Sequence, residues 1–394
     1  MMEMEVRYNL KNVLQNIAKA LRQYYELEDN KLINPQDFSE MIFGVSLPYL
    51  SENMVDKTGS GSEVINYVKI SDSITSLDAG AFKTLINIKS IYIGANITTI
   101  GESCFEGCTS LQKVELNNSQ ITSLPSKLFY QCTSLSEITP PVGLKSISDE
   151  VFYACSSLTS FEIPESVTKI GRFAFGGSGI TNIYIHKNII SINSNPFTLC
   201  RKIERITVSE DNVKYDSRDN CNAIIETASN TLICKLPVST IPDTVKALGP
   251  YAYYKTVENE IIVPPQITSI GSYCFSQSSY VISIDMSNCN VEVLPTAVFY
   301  ISPELKEIKF PPRLRIISSS IFYSNMKVEL LDFRNYAGDA PPILEGSLSG
   351  AGTKYKIVIP NNAELKEAWK NASNWSNYAD RILTLDEYNS LANT

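Results

Sequence analysis

The sequence contains a single histidine, His186, and no Cys-x-x-C pair. A zinc site of the usual kind needs several histidine or cysteine ligands at short spacings, so the sequence argues against one. It also lacks the loop of alternating acidic residues that binds calcium. With a single histidine, a histidine-based catalytic group cannot recur along the chain. We therefore expect no metal, no cofactor, no catalytic residue and no enzymatic activity, and we place His186 on the surface of the strand-like stretch 183–186.

Long hydrophobic runs and concentrated positive charge are missing as well. No apolar stretch approaches the roughly 18 residues of a membrane-spanning helix. The chain has 34 Lys and Arg against 42 Asp and Glu, a net charge of −8, and no basic run, which argues against nucleic acids and anionic membranes as partners. The first residues lack the basic and apolar regions of a secretory signal. The alternatives are that the protein is not exported by that route or that a leader has been removed.

What the sequence does contain is an internal repeat. An aromatic residue occupies the same apolar frame ten times, and the gaps are 22 to 24 residues with one exception of 56, which is one repeat plus an insertion. The ten residues are Phe82, Phe105, Phe129, Phe152, Phe175, Phe197, Tyr253, Phe275, Phe299 and Phe322. A fixed period in this range is typical of stacked units that each bury one face against a neighbour.

Each repeat follows one order of residue types. A small residue directly precedes the Phe, a Cys or Ser lies three residues after the Phe, and a Leu lies three residues after that. The repeat ends in an apolar-x-apolar triplet such as Val114-Glu115-Leu116. The triplet alternates with period two and predicts a short strand, whereas the steps of three predict a helical or 3₁₀ turn. The predicted fold class is an α/β solenoid of about ten units, in which the Phe residues form an internal ladder.

The nine cysteines, an odd number, fit this frame. Four of them lie three residues after a repeat Phe: Cys108, Cys132, Cys155 and Cys200. Placement by repeat position predicts small buried side chains with thiols rather than a plan of disulfides.

The repeat frame resembles the BspA-like (treponemal-type) leucine-rich repeat family. The match lies in segments such as 97–111 and covers about residues 64–335. The insertion resembles that family too, and by itself it predicts a hairpin across Ala228-Ser229-Asn230. The resemblance implies a non-catalytic surface protein used in adhesion or protein binding, without identifying the ligand.

The predicted organisation has four parts. Residues 1–50 form a helical attachment or oligomerisation segment, 51–63 a linker, 64–336 the repeat solenoid with the hairpin insertion at about 209–244, and 337–394 a C-terminal capping segment. The glycines near the linker do not form a phosphate-binding loop, because no Gly-Lys-Ser/Thr follows them.

Two amphipathic helices are predicted in the N-terminal segment, over roughly 8–27 and from Asn34-Pro35 onward. Their apolar residues are expected to mediate assembly: Leu10, Val13, Leu14, Ile17, Leu21, Phe38, Met41 and Ile42. The two helices have two alternative roles: they form either a polar cap over the first repeat or an attachment element. Stretches 14–22 and 33–38 resemble N-terminal segments of phage and prophage tail-associated structural proteins, which implies a virion protein.

The residues after Tyr336 follow a different pattern. Residues 354–360 predict a strand, and 363–370 predict a short helix with Leu365 and Trp369 on one side. Both tryptophans lie in this part, which favours a cap over the last repeat, with ligand binding as the alternative. The run 374–382 resembles the closing segment of repeat proteins from gut bacteria and their phages.

Two columns of residues are candidate binding surfaces. The first is the outward position of the predicted strands: Tyr92, Glu115, Thr139, Glu162, Tyr184, Thr207, Asp285, Lys309 and Asp332. The second directly follows the ladder aromatic: Tyr130, Tyr153, Tyr254, Tyr300 and Tyr323. Tyrosine suits a binding patch because it offers an apolar ring and a polar tip; the alternative is that these rings only shield the turn.

The leading functional hypothesis is a non-enzymatic binding or structural protein of a phage or prophage particle, associated with the tail or fibre. Its partners would be virion proteins, or a protein or glycan of the host surface, and the N-terminal helices would form a homo- or hetero-oligomer. The alternative is a cell-surface or secreted bacterial adhesin of the BspA-like kind. A third hypothesis is a glycan-acting enzyme with an unusual site.

Overall fold

The computed structural model of the chain describes residues 67–70, 74–237 and 239–392. The predicted helical segment 1–50 and the linker 51–63 lie outside the described residues, so both stay predictions. The same holds for the predicted assembly residues: Leu10, Val13, Leu14, Ile17, Leu21, Phe38, Met41 and Ile42.

The chain packs into two compact units. The first unit runs to Ile183 and includes Cys200–Ile203, and the second comprises Tyr184–Leu199 and continues from Glu204. The strands of the first unit are β1 (Tyr67–Lys69), β2 (Ser76–Leu77), β3 (Ser90–Tyr92), β4 (Thr99–Ile100), β5 (Lys113–Glu115), β6 (Ser123–Leu124), β7 (Glu137–Thr139), β8 (Ser146–Ile147) and β9 (Lys169–Ile170). Strand β10 (Asn182–Ile185) contains the position at which the chain passes from one unit to the other.

The second unit holds the remaining strands and both α-helices of the described chain. Its strands are β11 (Ser191–Ile192), β12 (Arg205–Val208), β13 (Tyr215–Asp216), β14 (Ile224–Glu226), β15 (Thr231–Cys234), β16 (Ala247–Leu248), β17 (Glu260–Ile262), β18 (Ser269–Ile270), β19 (Ser283–Asp285), β20 (Val293–Leu294), β21 (Glu307–Lys309), β22 (Ile316–Ile317), β23 (Leu330–Asp332), β24 (Ile343–Leu344), β25 (Lys356–Ile359) and β26 (Ile382–Thr384). The helices are α1 (Ala363–Asn371) and α2 (Leu385–Ala392), and 3₁₀ turns span Arg218–Asn220, Ser349–Ala351 and Ser376–Arg381.

Parallel sheets run through the first unit. The three-residue strands β1, β3, β5 and β7 pair side by side in that order, and Ile91 of β3 lies opposite Val114 of β5. The two-residue strands pair separately, as β2 with β4 and as β6, β8 and β9 in sequence. The middle residue of β3 and of β5 points into the core while its neighbours face outward, as the alternation of a strand requires. The first unit is therefore a parallel β-solenoid.

The second unit is a parallel β-solenoid as well. Six of its strands form one sheet in the order β17, β19, β21, β23, β25 and β26. The two-residue strands β20, β22 and β24 form a separate parallel sheet. Helix makes up little of the described chain, so the predicted α/β class is corrected to a parallel β-solenoid.

The turn around each ladder aromatic is not helical, contrary to the prediction of a helical or 3₁₀ turn. The step of three is real, because the N–H of Cys108 donates to the carbonyl of Phe105 at 3.2 Å. However, Ser103 and Gly107, two residues before and after Phe105, have φ of 56° and 73°. Left-handed residues interrupt a right-handed helix, so the coil makes successive tight turns, and Phe105 N–H donates at 3.0 Å to Leu128 of the next coil. The same two positions are left-handed in other repeats, at Lys127, Gln131, Glu150, Ala154, Tyr251, Lys255, Tyr273 and Gln277.

The ten ladder aromatics are all buried. In the first unit the rings of Phe82, Phe105, Phe129, Phe152 and Phe175 follow one another at centroid distances of 5.3, 5.6, 5.7 and 5.2 Å. In the second unit the rings of Tyr253, Phe275, Phe299 and Phe322 follow at 5.4, 6.1 and 5.5 Å. The predicted internal ladder is confirmed within each unit.

In several repeats the side chain three positions after the ladder aromatic is a hydrogen-bond donor. The thiol of Cys108 donates to the carbonyl of Phe82 at 3.1 Å, and the hydroxyl of Ser302 donates to the carbonyl of Phe275 at 3.1 Å. The same bond to the preceding coil is made by Cys132, Cys155 and Cys200. These cysteines are buried thiols, as predicted, but the position selects a short donor as well as a small apolar side chain.

The insertion is built into the second unit. Strands β13, β14 and β15 pair antiparallel, and β15 then pairs parallel with β16. The antiparallel pair β14–β15 spans the segment in which the sequence predicts a hairpin, and Asn230 at its turn has φ of 52°. The Arg218 guanidinium binds both carboxylate oxygens of Asp216 and donates to Asn230 at 2.7 Å, which ties the base of the hairpin to its turn.

The C-terminal residues extend the same unit. Strand β25 pairs in register with β23, and β26 pairs with β25. Helix α1 begins after Asn362, whose side chain accepts from Leu365 N–H at 2.9 Å, a typical N-cap. Trp369 and Trp375 are buried in contact with Phe333 at centroid distances of 4.9 and 5.9 Å. That this part acts as a cap for the array stays a proposal.

Candidate binding surfaces

The outward column of the first unit is a polar sheet face. Tyr92, Glu115 and Thr139 lie opposite one another on β3, β5 and β7. Lys113 bridges Glu115 at 3.0 Å and Glu137 at 2.9 Å. The Tyr92 hydroxyl accepts a hydrogen bond from the Asn118 amide at 2.9 Å. This face therefore carries charges that already pair with each other.

Three further residues that were predicted to point outward are exposed: Glu162 in the first unit, and Tyr184 and Thr207 in the second. Glu162 lies outside the assigned strands, Tyr184 is on β10 and Thr207 is on β12.

In the second unit the outward column runs through Asp285, Lys309 and Asp332, which lie opposite one another on β19, β21 and β23. The Lys309 ammonium is 3.1 Å from the Asp285 carboxylate. Burial alone would raise the pKa of Asp285, but hydrogen bonds from Ser287 and the charge of Lys309 hold that pKa below its ordinary value.

Asp332 departs from the prediction that this column faces solvent. Its exposed fraction is 1%, and its carboxylate pairs with Arg334 at 2.7 Å. The outward residues Leu330 and Val358 of β23 and β25 are buried too. The exposed part of the predicted column therefore ends at Lys309, because Asp332 of β23 and Val358, which lies opposite it on β25, are both covered.

A stacked tyrosine pair lies on the turn surface of the first unit. The rings of Tyr130 and Tyr153 are parallel, with centroids 5.1 Å apart and an interplanar angle of 9°. The Lys127 ammonium lies 5.6 Å from the Tyr130 ring centroid, within reach of a cation–π interaction. Both rings are half-buried, so the pair offers ring edges to a partner.

A longer tyrosine ribbon lies on the second unit. Its rings contact one another in this order: Tyr254, Tyr251, Tyr273, Tyr300 and Tyr323. The sequence predicted three of these five residues and missed Tyr251 and Tyr273. Both missed residues lie two positions before a ladder aromatic and are 22 residues apart. That spacing was a signal in the sequence, and in the structure both rings lie in the same row as Tyr300.

His186 is buried, and its predicted surface position is wrong. Its exposed fraction is 1%. Its ring Nδ1 accepts from Asn188 N–H at 3.3 Å, and its carbonyl accepts from the Asn212 amide at 2.9 Å. A polar ring satisfied by local donors is a structural residue.

The described residues offer little for covalent or metal chemistry. No group of three His, Cys, Asp or Glu residues among them is arranged to hold a metal ion. Burial raises the pKa of the thiols, to about 12 for Cys108 and to about 11 for Cys200, which keeps them protonated and poorly nucleophilic. That the protein is not an enzyme stays a prediction. Within the same residues, no helix has the length and apolarity needed to cross a bilayer.

The parallel coils, the aromatic ladder and the hydrogen-bond donors after several of its aromatics define a leucine-rich-repeat type of solenoid that presents broad surfaces. The profile of the BspA type leucine rich repeat region matches residues 53–156, 122–231 and 224–337. Because these matches span more than half of the sequence, the chain belongs to the BspA type leucine rich repeat family. No curated protein matches the chain.

Two solved structures share the fold. A leucine rich cell surface protein from Faecalibacterium prausnitzii A2-165 is 21% identical with a TM-score of 0.53, covering 82% of this chain and 98% of its own. A leucine-rich repeat protein from Eubacterium ventriosum ATCC 27560 is 21% identical with a TM-score of 0.52, covering 76% of this chain and 94% of its own. These comparisons give no support to the virion hypothesis.

Proposed function

We propose that the protein is a non-catalytic, BspA-type binding protein that acts as an adhesin at a bacterial cell surface. Family membership supports a binding role. The solved relative from Faecalibacterium prausnitzii is described as a cell surface protein, which supports the location. The virion role has no comparable support, and the adhesin alternative takes its place.

The observation that carries the proposal is the presence of tyrosine stacks on the turn surface of each unit. The tyrosine pair and the tyrosine ribbon are fixed by ring contacts of 4.9 to 5.9 Å. Rings that are ordered before binding lose little conformational entropy when a partner arrives, and tyrosine is enriched among residues that dominate binding energy. The paired charges of the sheet face around Lys113 are a weaker candidate, because exposed ion pairs contribute little.

We also propose that the N-terminal segment 1–50 is an attachment or oligomerisation element. The prediction rests on its apolar spacing alone, in residues such as Leu14, Ile17 and Leu21.

The location is tested with antibodies against the chain. We expect them to label intact producing cells and to find no chain in particles pelleted from an induced culture. Chain found in phage particles, with unlabelled cells, would overturn the proposed location.

The contact surface is tested by placing a photo-crosslinking amino acid at Tyr153 or Tyr323 of the full chain in producing cells. We expect crosslinked products from both positions and a much lower yield from Thr99, an exposed control residue on the face of the two-residue strands. In parallel, Tyr130→Ala with Tyr153→Ala should weaken retention on cells without changing the melting temperature. Equal yields from all three positions would count against the tyrosine surfaces.

A further inference from the structure

The two-residue strands point their first residue outward and bury their second. In the first unit the outward position is polar in every two-residue strand described: Ser76, Thr99, Ser123, Ser146 and Lys169. In the second unit the last three such strands carry Val293, Ile316 and Ile343 there. Because the first unit builds its coils with polar residues at this position, the fold itself does not require these apolar side chains.

The three residues form a continuous apolar stripe. Val293 lies opposite Ile316, and Ile316 lies opposite Ile343, in parallel register. Val293 is 44% exposed and Ile343 is 62% exposed, whereas Ile316 is half-buried. Their β-branched side chains have few rotamers and so lose little conformational entropy in a contact. Exposed apolar residues that adjoin one another on ordered strands are typical of a protein contact surface.

Charged side chains of both signs line the apolar stripe. Arg315 and Glu292 directly precede two of its residues and lie 3.4 Å apart, with 75% and 52% of their side chains exposed. Such an exposed ion pair contributes little to stability, so both groups can bind the charges of a partner. Exposed Arg313 and Glu345 lie within three residues of the stripe along the chain. These four charges cancel, a pattern that favours a partner with charges of both signs.

A second copy of the apolar stripe matches the first in spacing and in charge. Neighbouring strands lie about 4.8 Å apart, and two copies share the same spacing, so their rows of side chains can interdigitate as in packed sheets. A twofold axis along the strand direction, between the coils of Val293 and Ile316, places Val293 of one copy on Ile316 of the other. The same rotation places Arg315 of each copy beside Glu292 of the other, and opposite charges across an interface fix its register.

We propose that the apolar stripe is a self-association surface through which two copies of the chain bind each other in antiparallel orientation. Three apolar rows are fewer than a standard protein interface contains, so the contact is weak and forms between chains at high local concentration. The proposal is separate from the predicted assembly through residues 1–50 and does not depend on the adhesin function.

The contact is tested by cross-linking the full chain through an introduced cysteine. The nine native cysteines are buried, so a short bis-maleimide should react with Val293→Cys and leave them unmodified. We expect covalent dimers from Val293→Cys and a yield about tenfold lower from Thr99→Cys, at the equivalent strand position of the first unit. Both variants carry the same N-terminal segment, so assembly through that segment affects them alike.

Charge reversal tests whether the partner is a second copy. On the Val293→Cys background, Arg315→Glu leaves two acidic side chains beside the stripe, and Glu292→Arg leaves two basic ones. Each variant alone should cross-link about tenfold less, because like charges then meet across the twofold axis. An equal mixture of the two variants should recover the yield. The pair within one chain is broken in both variants, so the recovery can come only from contact between copies.

Three results would overturn the proposal. The first is a dimer yield from Val293→Cys no higher than that from Thr99→Cys, and the second is a mixture that cross-links no better than either charge variant alone. The third is an unchanged yield when Ile316→Ser and Ile343→Ser are added to Val293→Cys. Circular dichroism shows whether each variant folds, and Ile343→Cys takes the place of Val293→Cys if that chain does not.

Discussion

Phe129 lies between Phe105 and Phe152, at ring centroid distances of 5.6 and 5.7 Å, and is fully buried. Phe129→Ala removes both ring contacts and leaves a cavity. We expect the free energy of unfolding to fall by about 3–5 kcal/mol, measured by denaturant titration of the full chain. The neighbouring Tyr130→Ala is the control, because that ring is half-buried and should cost much less. Similar losses of stability in the two variants would show that the ladder position contributes no more to folding than the neighbouring surface position.

The thiols give a second prediction at the residue scale. All nine cysteines are buried, and burial raises the pKa of Cys289 to about 11 and that of Cys108 to about 12. Because the thiolate is the reactive form, we expect the folded chain to resist iodoacetamide at pH 8 and to take up nine labels once denatured. Mass spectrometry counts the labels. Rapid labelling of a folded chain would contradict the burial of these side chains.

Individual side chains show where sequence reasoning reaches its limit. The ladder aromatics could be predicted because they recur at one position in every repeat, and so could the burial of the cysteines three residues after them. Asp332 and His186 could not, since each is buried by contacts that are particular to its own coil. Tyr251 and Tyr273 could not be predicted from the repeat, because the other repeats place residues other than tyrosine two positions before the ladder aromatic.

At the scale of single elements, the link between Asp216 and Arg218 at the base of the hairpin predicts a pH dependence. Burial alone would raise the pKa of Asp216, but hydrogen bonds from Arg218 and Thr227 outweigh it and hold that pKa below its ordinary value of 3.8. A carboxyl with a lowered folded pKa contributes stability above its unfolded pKa and loses it as the pH falls through the folded value. Asp216→Asn should therefore cost about 1 kcal/mol at pH 7, and the difference from the wild type should shrink below pH 3.8.

Denaturant titrations of the two chains at neutral and acid pH measure that difference. The exposed Glu210→Gln is the control and should match the wild type at both pH values. A difference between Asp216→Asn and the wild type that is the same at both pH values would show that the lost stability does not come from ionisation of Asp216.

The turn is the element in which sequence and structure differ most. The steps of three around Phe105 predicted a helical turn, and they do correspond to hydrogen bonds such as Cys108 N–H to Phe105 O. The left-handed backbone at Ser103 could not be predicted, because most repeats place an ordinary residue there and not glycine. Such residues adopt positive φ at some cost. Hydrogen bonds between neighbouring coils, such as Phe105 N–H to Leu128 O, stabilise that conformation.

Across the whole molecule, the repeat pattern predicted the solenoid because each coil is built from the same local contacts with its neighbours. It could not predict how the insertion joins the sheets. Strand β15 leaves the antiparallel hairpin and pairs parallel with β16, a switch that depends on partners distant in the sequence. The candidate binding surfaces could be predicted only in part. The positions of their residues follow the repeat, whereas the burial of Asp332 does not.

Deletion of residues 1–50 is the prediction for the whole molecule. Stability in a solenoid comes from contacts within coils and between adjacent coils, so we expect the truncated chain to keep its β-type circular dichroism spectrum and its repeat fold. If the N-terminal segment mediates assembly, the mass measured by light scattering should fall from that of an oligomer to that of a single chain. Full-length chain with Leu14→Asp and Ile17→Asp is the matched control, and should lose assembly in the same way. A truncated chain that loses its ordered spectrum would instead assign this segment to the stability of the array.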